Sequence, residues 1–327
     1  EITCIPASKV KKYFLKIYRK VDRSVNPDVE LSHYLSEQAH FRYVPGFLGL
    51  IDMNPGKDSI ALGIMQELIE NHGDGESYMK ERIANYLERI MARNRELSDP
   101  YDRKGTIVDP LGFHELPEEL QNLIGSRTAD QASLIGLRTA EMHLLLAKGP
   151  GKDFTPEEYS LHYQRSVFSS MQALIRESHQ AFGKNVGKLS EATRQEAQFI
   201  PDVRNELLNT ARKIYQKKFD IWKTRTHGSY SLKKLLMSGK DVVIQDFGGK
   251  PLKSYSARRL KRSPLRDIAE MIISFHYVAY EGFFENHQIH RDELRDLLPF
   301  AESWAHYVSG FFVKTYLDKV QGSALIP

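Results

Sequence analysis

Three charged side chains of this sequence are candidates for chemistry on a phosphate group. Lys16 lies in the strand-like stretch Phe-Leu-Lys-Ile-Tyr, where an ammonium facing a cleft can reach the phosphates of ATP, although strand lysines commonly face solvent instead. Glu30 lies on the next predicted helix and is either a partner for Lys16 or a surface acid. Asp246 ends an apolar strand before Phe-Gly, which makes it a candidate magnesium ligand as well as a turn former.

A fourth candidate is Ser229, in the sequence His227-Gly228-Ser229. A serine nucleophile requires an oriented base close by. The surrounding sequence has neither a Gly-x-Ser-x-Gly elbow nor another local hydrolase signature. We therefore interpret Ser229 as a substituted residue and not as a nucleophile.

The elements that must position these residues begin with a strand, a helix and a strand. Aromatic and β-branched residues over 12–18 and apolar residues over 60–68 predict the two strands. Asn26-Pro27-Asp28 predicts a helix start, and Val44-Pro45-Gly46 ends the helical pattern. Gln66, Glu67 and Leu68 close the second strand, where backbone groups can bind an adenine.

From residue 77 onward the apolar periodicity predicts mainly helices, with faces marked by Ile83, Ile135 and Ile268. A strand over 241–247 predicts a short hairpin within this helical part. Pro and Gly predict loops over 98–112 and 148–158, and the polar segment 185–205 is expected to be an exposed turn. The pattern indicates an α+β fold.

Composition limits the other possibilities. The 327 residues carry a formal net charge of +4 and one cysteine, Cys4, which excludes an internal disulfide and favours the cytoplasm. Neither a membrane-spanning run nor a signal peptide is recognisable. Five Lys and Arg residues crowd into 253–262, but no nucleic-acid-binding motif accompanies them, so we expect neither nucleic acid nor a membrane as partner. Because the chain begins at Glu1 without methionine, we expect a fragment or a processed form.

Several longer motifs resemble those of the maltokinases, which are fused to or partnered with trehalose synthase and belong to the aminoglycoside-phosphotransferase-like branch of the kinase fold. They are Phe14–Lys20 with Asn26–Leu31, Ile135–His143, Tyr163–Ser166, and Lys261–Asp267 with Ser274, Phe275 and Tyr277. The resemblance implies a bilobal fold. Residues 1–76 would form a truncated small N-lobe with a short antiparallel sheet. Residues 77–327 would form a helical C-lobe that contains the catalytic-loop hairpin 226–251. It also implies transfer of the γ-phosphate of ATP, with magnesium, to maltose or a related α-glucoside, and trehalose synthase as a partner.

By the same resemblance, Lys16 steadies phosphates, Glu30 pairs with it, Gln66 to Leu68 form the adenine hinge and Asp246 binds magnesium. The family's catalytic loop reads His-Gly-Asp with a downstream Gln, and its metal strand reads Asp-Phe-Glu-Gly-Glu-Pro. This chain keeps His227, Gly228, Asp246, Phe247, Gly249 and Pro251. It has Ser229 in place of the base, Lys234 in place of the amide, and Gly248 and Lys250 in place of the glutamates. The first residues, Glu1–Pro6, do not resemble the family's serine-containing phosphate-covering turn.

Three functions are compatible with these residues. The first is a maltokinase-like pseudokinase with weak or no phosphotransferase activity, which binds a maltosaccharide or docks on trehalose synthase. In that case, the aromatic residues of the last predicted helix form either a sugar platform or part of the core; they are Trp304, Tyr307, Phe311 and Tyr316. The second is an active maltokinase with a displaced base, Asp267 or Glu270. The third is an anion-binding module that uses the basic stretch 253–262.

Overall fold

The computed structural model describes residues 12–54, 59–93, 99–100, 102–287, 289–290 and 293–326. Cys4 and the rest of the segment Glu1–Pro6 lie outside these ranges. The described residues form two compact units, one made of segments within 12–156 and 224–326 and the other of Glu157–Lys223. We refer to them as unit 1 and unit 2.

The described part of unit 1 begins with the predicted strand, helix and strand, and it adds one strand, Phe47–Met53, that was not predicted from the sequence. Strand β1 is Tyr13–Ile17, helix α1 is Pro27–His33 with a π-helical continuation Tyr34–Gln38, and strands β2 and β3 are Phe47–Met53 and Ile60–Glu67. The strands form an antiparallel sheet in the order β1-β3-β2, in which Lys16 is paired with Ile64. Asn26 caps α1 by accepting from the Asp28 N–H, which explains why the helix starts where Asn-Pro-Asp predicts.

The helices of unit 1 surround a large apolar core. They are α2 (Gly75–Ala92), α3 (Glu118–Ile124), α4 (Ser126–Leu146), α8 (Tyr255–Arg258), α9 (Leu265–Phe284) and α10 (Leu294–Val320). Helices α4, α9 and α10 pack together, and a Cβ at Gly136 of α4 would lie 2.2 Å from the Phe312 carbonyl oxygen of α10. The predicted faces at Ile83, Ile135 and Ile268 are all buried in this core. In the described ranges no helix combines the length and apolar character of a bilayer span.

A β-hairpin interrupts the helices, as the sequence predicts. Strand β6 (Leu235–Ser238) pairs with β7 (Asp241–Ile244) across a turn in which Gly239 has a φ of 60°. Glycine adopts this left-handed backbone without steric cost, so the turn can be tight. The hairpin delivers Gln245, Asp246 and Phe247 directly after a strand with three buried residues.

Unit 2 consists mainly of helices α5 (Leu161–Asn185), α6 (Glu191–Glu196) and α7 (Ile200–Arg212), with the short paired strands β4 (Glu157–Glu158) and β5 (Trp222–Lys223). The prediction of an exposed turn over 185–205 is wrong, because much of this segment is helical. Ser190 caps α6 by accepting from the Thr193 N–H, and Pro201 occupies the first turn of α7. The helix-capping residues therefore decide the local structure of this segment, in spite of its polar composition.

Candidate functional site

Lys16 occupies the centre of a charged cluster in unit 1. Its Nζ lies 2.8 Å from Asp28 Oδ2 and 2.5 Å from Asp246 Oδ1. Burial alone would lower the pKa of Lys16, but the two carboxylates outweigh it and raise the pKa above its ordinary value. The lysine is therefore held as a cation, with both neighbours already paired to it.

Strands β1 and β3 approach each other closely beside the Lys16 backbone. A Cβ at Gly63 of β3 would lie 2.8 Å from the Lys16 carbonyl oxygen and 2.9 Å from Ile17 Cδ1. A side chain at Gly63 would push β1 away from β3, so glycine is needed here for packing.

Asp246 sits between two ammonium groups. One carboxylate oxygen contacts Lys16, and the other accepts a hydrogen bond from Lys234 Nζ. Burial opposes ionisation of Asp246, but Lys16 and Lys234 outweigh it and lower the pKa of this carboxyl well below its ordinary value. Asp246 also has a φ of 63°, a left-handed conformation that is uncommon outside glycine but is adopted by aspartate more often than by most residues.

These residues do not fit magnesium. Magnesium prefers oxygen ligands in an octahedral arrangement, whereas Lys234 presents a cation to the oxygen that a metal would need. In the part of the chain described here, no three His, Cys, Asp or Glu side chains form a group that could hold a metal ion. A Cβ added at Gly248 would make only ordinary contacts, with Asp246 Oδ1 at 3.5 Å and Asp28 Cβ at 3.9 Å.

The predicted Lys16–Glu30 ion pair does not form among the described residues. Asp28, two residues earlier on α1, is the residue of this helix that pairs with Lys16. Its Oδ2 also accepts a hydrogen bond from Tyr18 OH at 3.0 Å. Residues two apart on a helix do not share a face, so Glu30 projects elsewhere. Asp28 is 2% exposed, and its only signal in the sequence is its place beside the Asn-Pro helix start.

Glu30 instead joins two arginines. Arg259 donates to it through Nε at 2.9 Å and Nη2 at 2.6 Å, and Arg225 Nη2 lies 2.7 Å from its Oε2. Burial would raise the pKa of Glu30, but the arginines outweigh it and lower the pKa. The Arg225 side chain is 2% exposed, and this buried cation immediately precedes the loop that carries Ser229. Its role was not apparent from the sequence.

Helix α9 holds the loop that carries His227, Gly228 and Ser229. Asp267 accepts from the backbone N–H of His227 at 2.7 Å and of Gly228 at 3.0 Å. Further along the same helix, Glu270 accepts from Tyr230 N–H at 3.0 Å and Ser274 accepts from Leu232 N–H at 3.1 Å. In the sequence, these three residues of α9 could have been recognised as polar residues on the apolar face of an amphipathic helix.

Asp267 is committed to this structural role. It is fully buried and also contacts His143 Nε2 at 3.1 Å, while His143 Nδ1 bonds to Tyr316 OH at 3.0 Å. Burial would raise the pKa of Asp267, but its hydrogen bond to His143 and its other partners lower the pKa instead. A carboxylate with these partners is not available to take a proton from a substrate.

His227 anchors the loop from the other side. Its Nε2 donates to the Gln245 carbonyl at 3.0 Å, and its ring lies 5.0 Å from each of the Tyr230 and Phe247 rings. Burial lowers the pKa of His227, which keeps the imidazole neutral. His227 thus connects the loop to the strand end that carries Asp246, and at 1% exposure it is shielded from solvent.

The remaining predicted site residues lie around this cluster. Ser229 is partly exposed, and Lys250 Nζ pairs with Glu270 Oε1 at 2.8 Å. At the end of β3, Gln66 is buried and donates to Ser32 Oγ, the Glu67 N–H bonds to the Gly46 carbonyl, and Leu68 is 40% exposed. The structure thus brings Lys16, Lys234 and Asp246 together and leaves Glu30 outside their contacts.

Two other candidate sites are not supported. Trp304, Tyr307, Phe311 and Tyr316 are all buried in the core, so they do not form a sugar platform. In the basic stretch 253–262, Arg258 donates to the carbonyls of Gly248, Pro251 and Lys253, Arg259 binds Glu30, and Lys261 donates to the Lys152 carbonyl. These cations brace the fold internally, which disfavours the anion-binding interpretation.

This arrangement of strands, helices and hairpin is similar to the kinase-like fold of solved sugar kinases. A glucosamine kinase (crystal form B) aligns with a TM-score of 0.68 at 12% sequence identity, over 96% of this chain and 64% of that chain. A glucosamine kinase in complex with glucosamine, ADP and inorganic phosphate aligns with a TM-score of 0.67 at 13% identity, over 96% and 63% respectively. The chain therefore spans slightly less than two thirds of these proteins. No protein-family model matches the sequence.

Proposed function

We propose that this chain is a maltokinase-like pseudokinase, which keeps the sugar-kinase fold, binds maltose or a related α-glucoside or docks on trehalose synthase, and transfers phosphate weakly or not at all. One observation carries the proposal: both oxygens of the Asp246 carboxylate are occupied by ammonium groups, those of Lys16 and Lys234. A kinase requires this type of carboxylate for magnesium, which positions and neutralises the ATP phosphates.

The residue that stands in place of the catalytic base supports the same proposal. Ser229 replaces the carboxylate that would accept the proton of the sugar hydroxyl. Loss of a positioned base typically costs about a hundred- to ten-thousand-fold in rate. Loss of the metal acts on the same transition state, so the two losses are not additive. Even so, either one leaves a poor phosphotransferase.

The candidates for a displaced base are poorly suited to that role. Asp267 is fully buried and bonded to two backbone N–H groups and His143. Glu270 is paired with Lys250 and bonded to the Tyr230 N–H. These contacts favour the pseudokinase over an active maltokinase.

The sugar in this proposal comes from the maltokinase-like motifs and from the sugar-kinase fold. In the proposed bilobal arrangement, residues 1–76 form the small lobe with Gln66 to Leu68 as hinge, and 77–327 form the large lobe. Lys16 is already paired with Asp28 and Asp246, so it is not free to bind the phosphates of ATP. We therefore expect nucleotide binding to be weak and little changed by magnesium.

The test compares the native chain with a restored variant that combines Ser229→Asp, Lys234→Gln, Gly248→Glu and Lys250→Glu. Maltose-dependent ATP consumption is measured with magnesium, and maltose binding is measured separately by thermal shift without ATP. We expect no turnover by the native chain, stabilisation by maltose, and turnover by the restored variant, in which the Cβ added at Gly248 would make only ordinary van der Waals contacts.

The matched control is Lys233→Gln, which removes the neighbouring lysine that pairs with Glu76 instead of Asp246. It should leave both measurements, ATP consumption and the maltose thermal shift, as in the native chain. Rapid maltose-dependent turnover by the native chain would refute the pseudokinase proposal. Absence of any maltose effect on the melting temperature would refute the sugar-binding part alone.

A further inference from the structure

Unit 2 has a surface pocket, referred to below as the cavity, that shares no residue with the cluster around Asp246. The cavity has a volume of about 140 Å³ and is lined by Gln172, Ile175, Arg176, Arg204 and Leu208. A single water needs roughly 10–15 Å³ measured in the same way, so the cavity has room for a much larger group.

Helical spacing explains how these side chains meet. Gln172, Ile175 and Arg176 are positions i, i+3 and i+4 of α5, and Arg204 and Leu208 are positions i and i+4 of α7. Each set therefore forms one face of its helix, and α5 packs against α7. The two faces together line the cavity.

Two arginines line this cavity, Arg176 of α5 and Arg204 of α7. In the part of unit 2 that the structure describes, neither Arg176 nor Arg204 has an ion pair or hydrogen bond through its guanidinium. Arg194, in contrast, pairs with Glu191 at 3.3 Å, and Arg212 donates to Asn209 at 3.1 Å. Both arginine side chains are exposed, so solvent screens much of their mutual repulsion, and an anion bound between them would remove what remains of it.

We propose that this cavity binds the dianionic group of a phosphate monoester. Two guanidinium groups balance a charge of about −2, and each presents a fork of N–H donors that matches phosphate oxygens. Gln172 adds an amide donor, while Ile175 and Leu208 offer apolar contact to the carbon atoms of the ester. A carboxylate would neutralise only one of the two arginines, so it should bind more weakly.

This site is independent of the proposed pseudokinase cleft. It depends only on residues of α5 and α7, whereas the cleft depends on Lys16, Lys234 and Asp246. The two proposals can therefore fail separately.

The experiment titrates phenyl phosphate and benzoate into the full chain by calorimetry in a low-salt, phosphate-free buffer. These probes share an aromatic body and differ in charge. We expect saturable binding of phenyl phosphate, weakened by salt, and at least tenfold weaker binding of benzoate. Arg176→Gln and Arg204→Gln should each weaken phenyl phosphate binding about tenfold, as expected for loss of one charge-assisted hydrogen bond.

The control variants locate the site. Arg165→Gln removes the same charge from an exposed position of α5 that does not line the cavity and should leave binding unchanged. Lys16→Met alters the cleft and should also leave it unchanged. The proposal is wrong if phenyl phosphate does not bind saturably, if benzoate binds equally well, or if Arg165→Gln or Lys16→Met weakens binding as much as the two cavity variants.

Discussion

Lys234 donates a hydrogen bond to Asp246 and supplies a cation at the carboxylate that we predicted as a magnesium ligand. Lys16 contacts the other oxygen of the same carboxylate at 2.5 Å. Both oxygens of the Asp246 carboxylate are therefore paired with cations of the protein itself.

The Lys234→Gln variant should bind divalent cations better than the native chain. Removing the ammonium leaves Asp246 with one cationic neighbour and adds an amide oxygen that can serve as a ligand. We expect magnesium or manganese affinity to rise at least tenfold, measured by calorimetric titration. Lys233→Gln is the matched control, and an equal rise in that variant would contradict the explanation.

Substitution of Glu30 by Gln should destabilise the fold strongly. It leaves the buried Arg225 guanidinium without its carboxylate, and breaking a buried ion pair in this way costs about 3–5 kcal/mol. Urea unfolding measures the loss. Glu37→Gln, at an exposed position in the following π-helical segment, should change the free energy of unfolding little, and a similar loss there would argue against the buried pair as the cause.

Stability should fall as the pH drops below about 6.5, partly because of His227. Burial lowers the pKa of folded His227, so below the ordinary value of about 6.5 the unfolded chain binds a proton that the folded chain does not. The slope from one such histidine approaches 1.4 kcal/mol per pH unit at most.

The His227→Gln variant tests this pH dependence, because its amide can still donate to the Gln245 carbonyl but does not titrate. Urea unfolding of both chains between pH 7 and pH 5 should give a shallower slope for the variant. His276, whose pKa burial also lowers, remains in both chains and cancels in the comparison. Equal slopes would exclude the assigned role of His227.

Gly63→Ala should destabilise the sheet that carries Lys16. Its Cβ would lie 2.8 Å from the Lys16 carbonyl oxygen, and overpacking of this kind typically costs about 1–3 kcal/mol. Gly49→Ala on β2 is the control, because that Cβ would meet only Met65 Cε at 3.9 Å. The melting temperature should fall for Gly63→Ala alone, and a comparable fall for Gly49→Ala would point to backbone entropy or strand pairing instead.

Local patterns anticipated most of the elements around the site. The Asn-Pro-Asp helix start, the strand before Asp246 and the amphipathic face of α9 each depend on neighbours in sequence, and they form where predicted. The segment 185–205 was mispredicted because capping by Ser190 and a proline at the start of α7 are weak signals within a polar stretch.

The sequence by itself determined which reactive groups are present: a hydroxyl at Ser229, an ammonium at Lys234 and a carboxylate at Asp246. Only the tertiary structure decided their partners. Asp28 rather than Glu30 binds Lys16, Arg225 and Arg259 bind Glu30, and Asp267 holds the loop at Gly228. The physical reason is that electrostatic and hydrogen-bond energies depend on distances of a few ångströms between residues far apart in the chain, which the packing of α1, α9 and the hairpin sets.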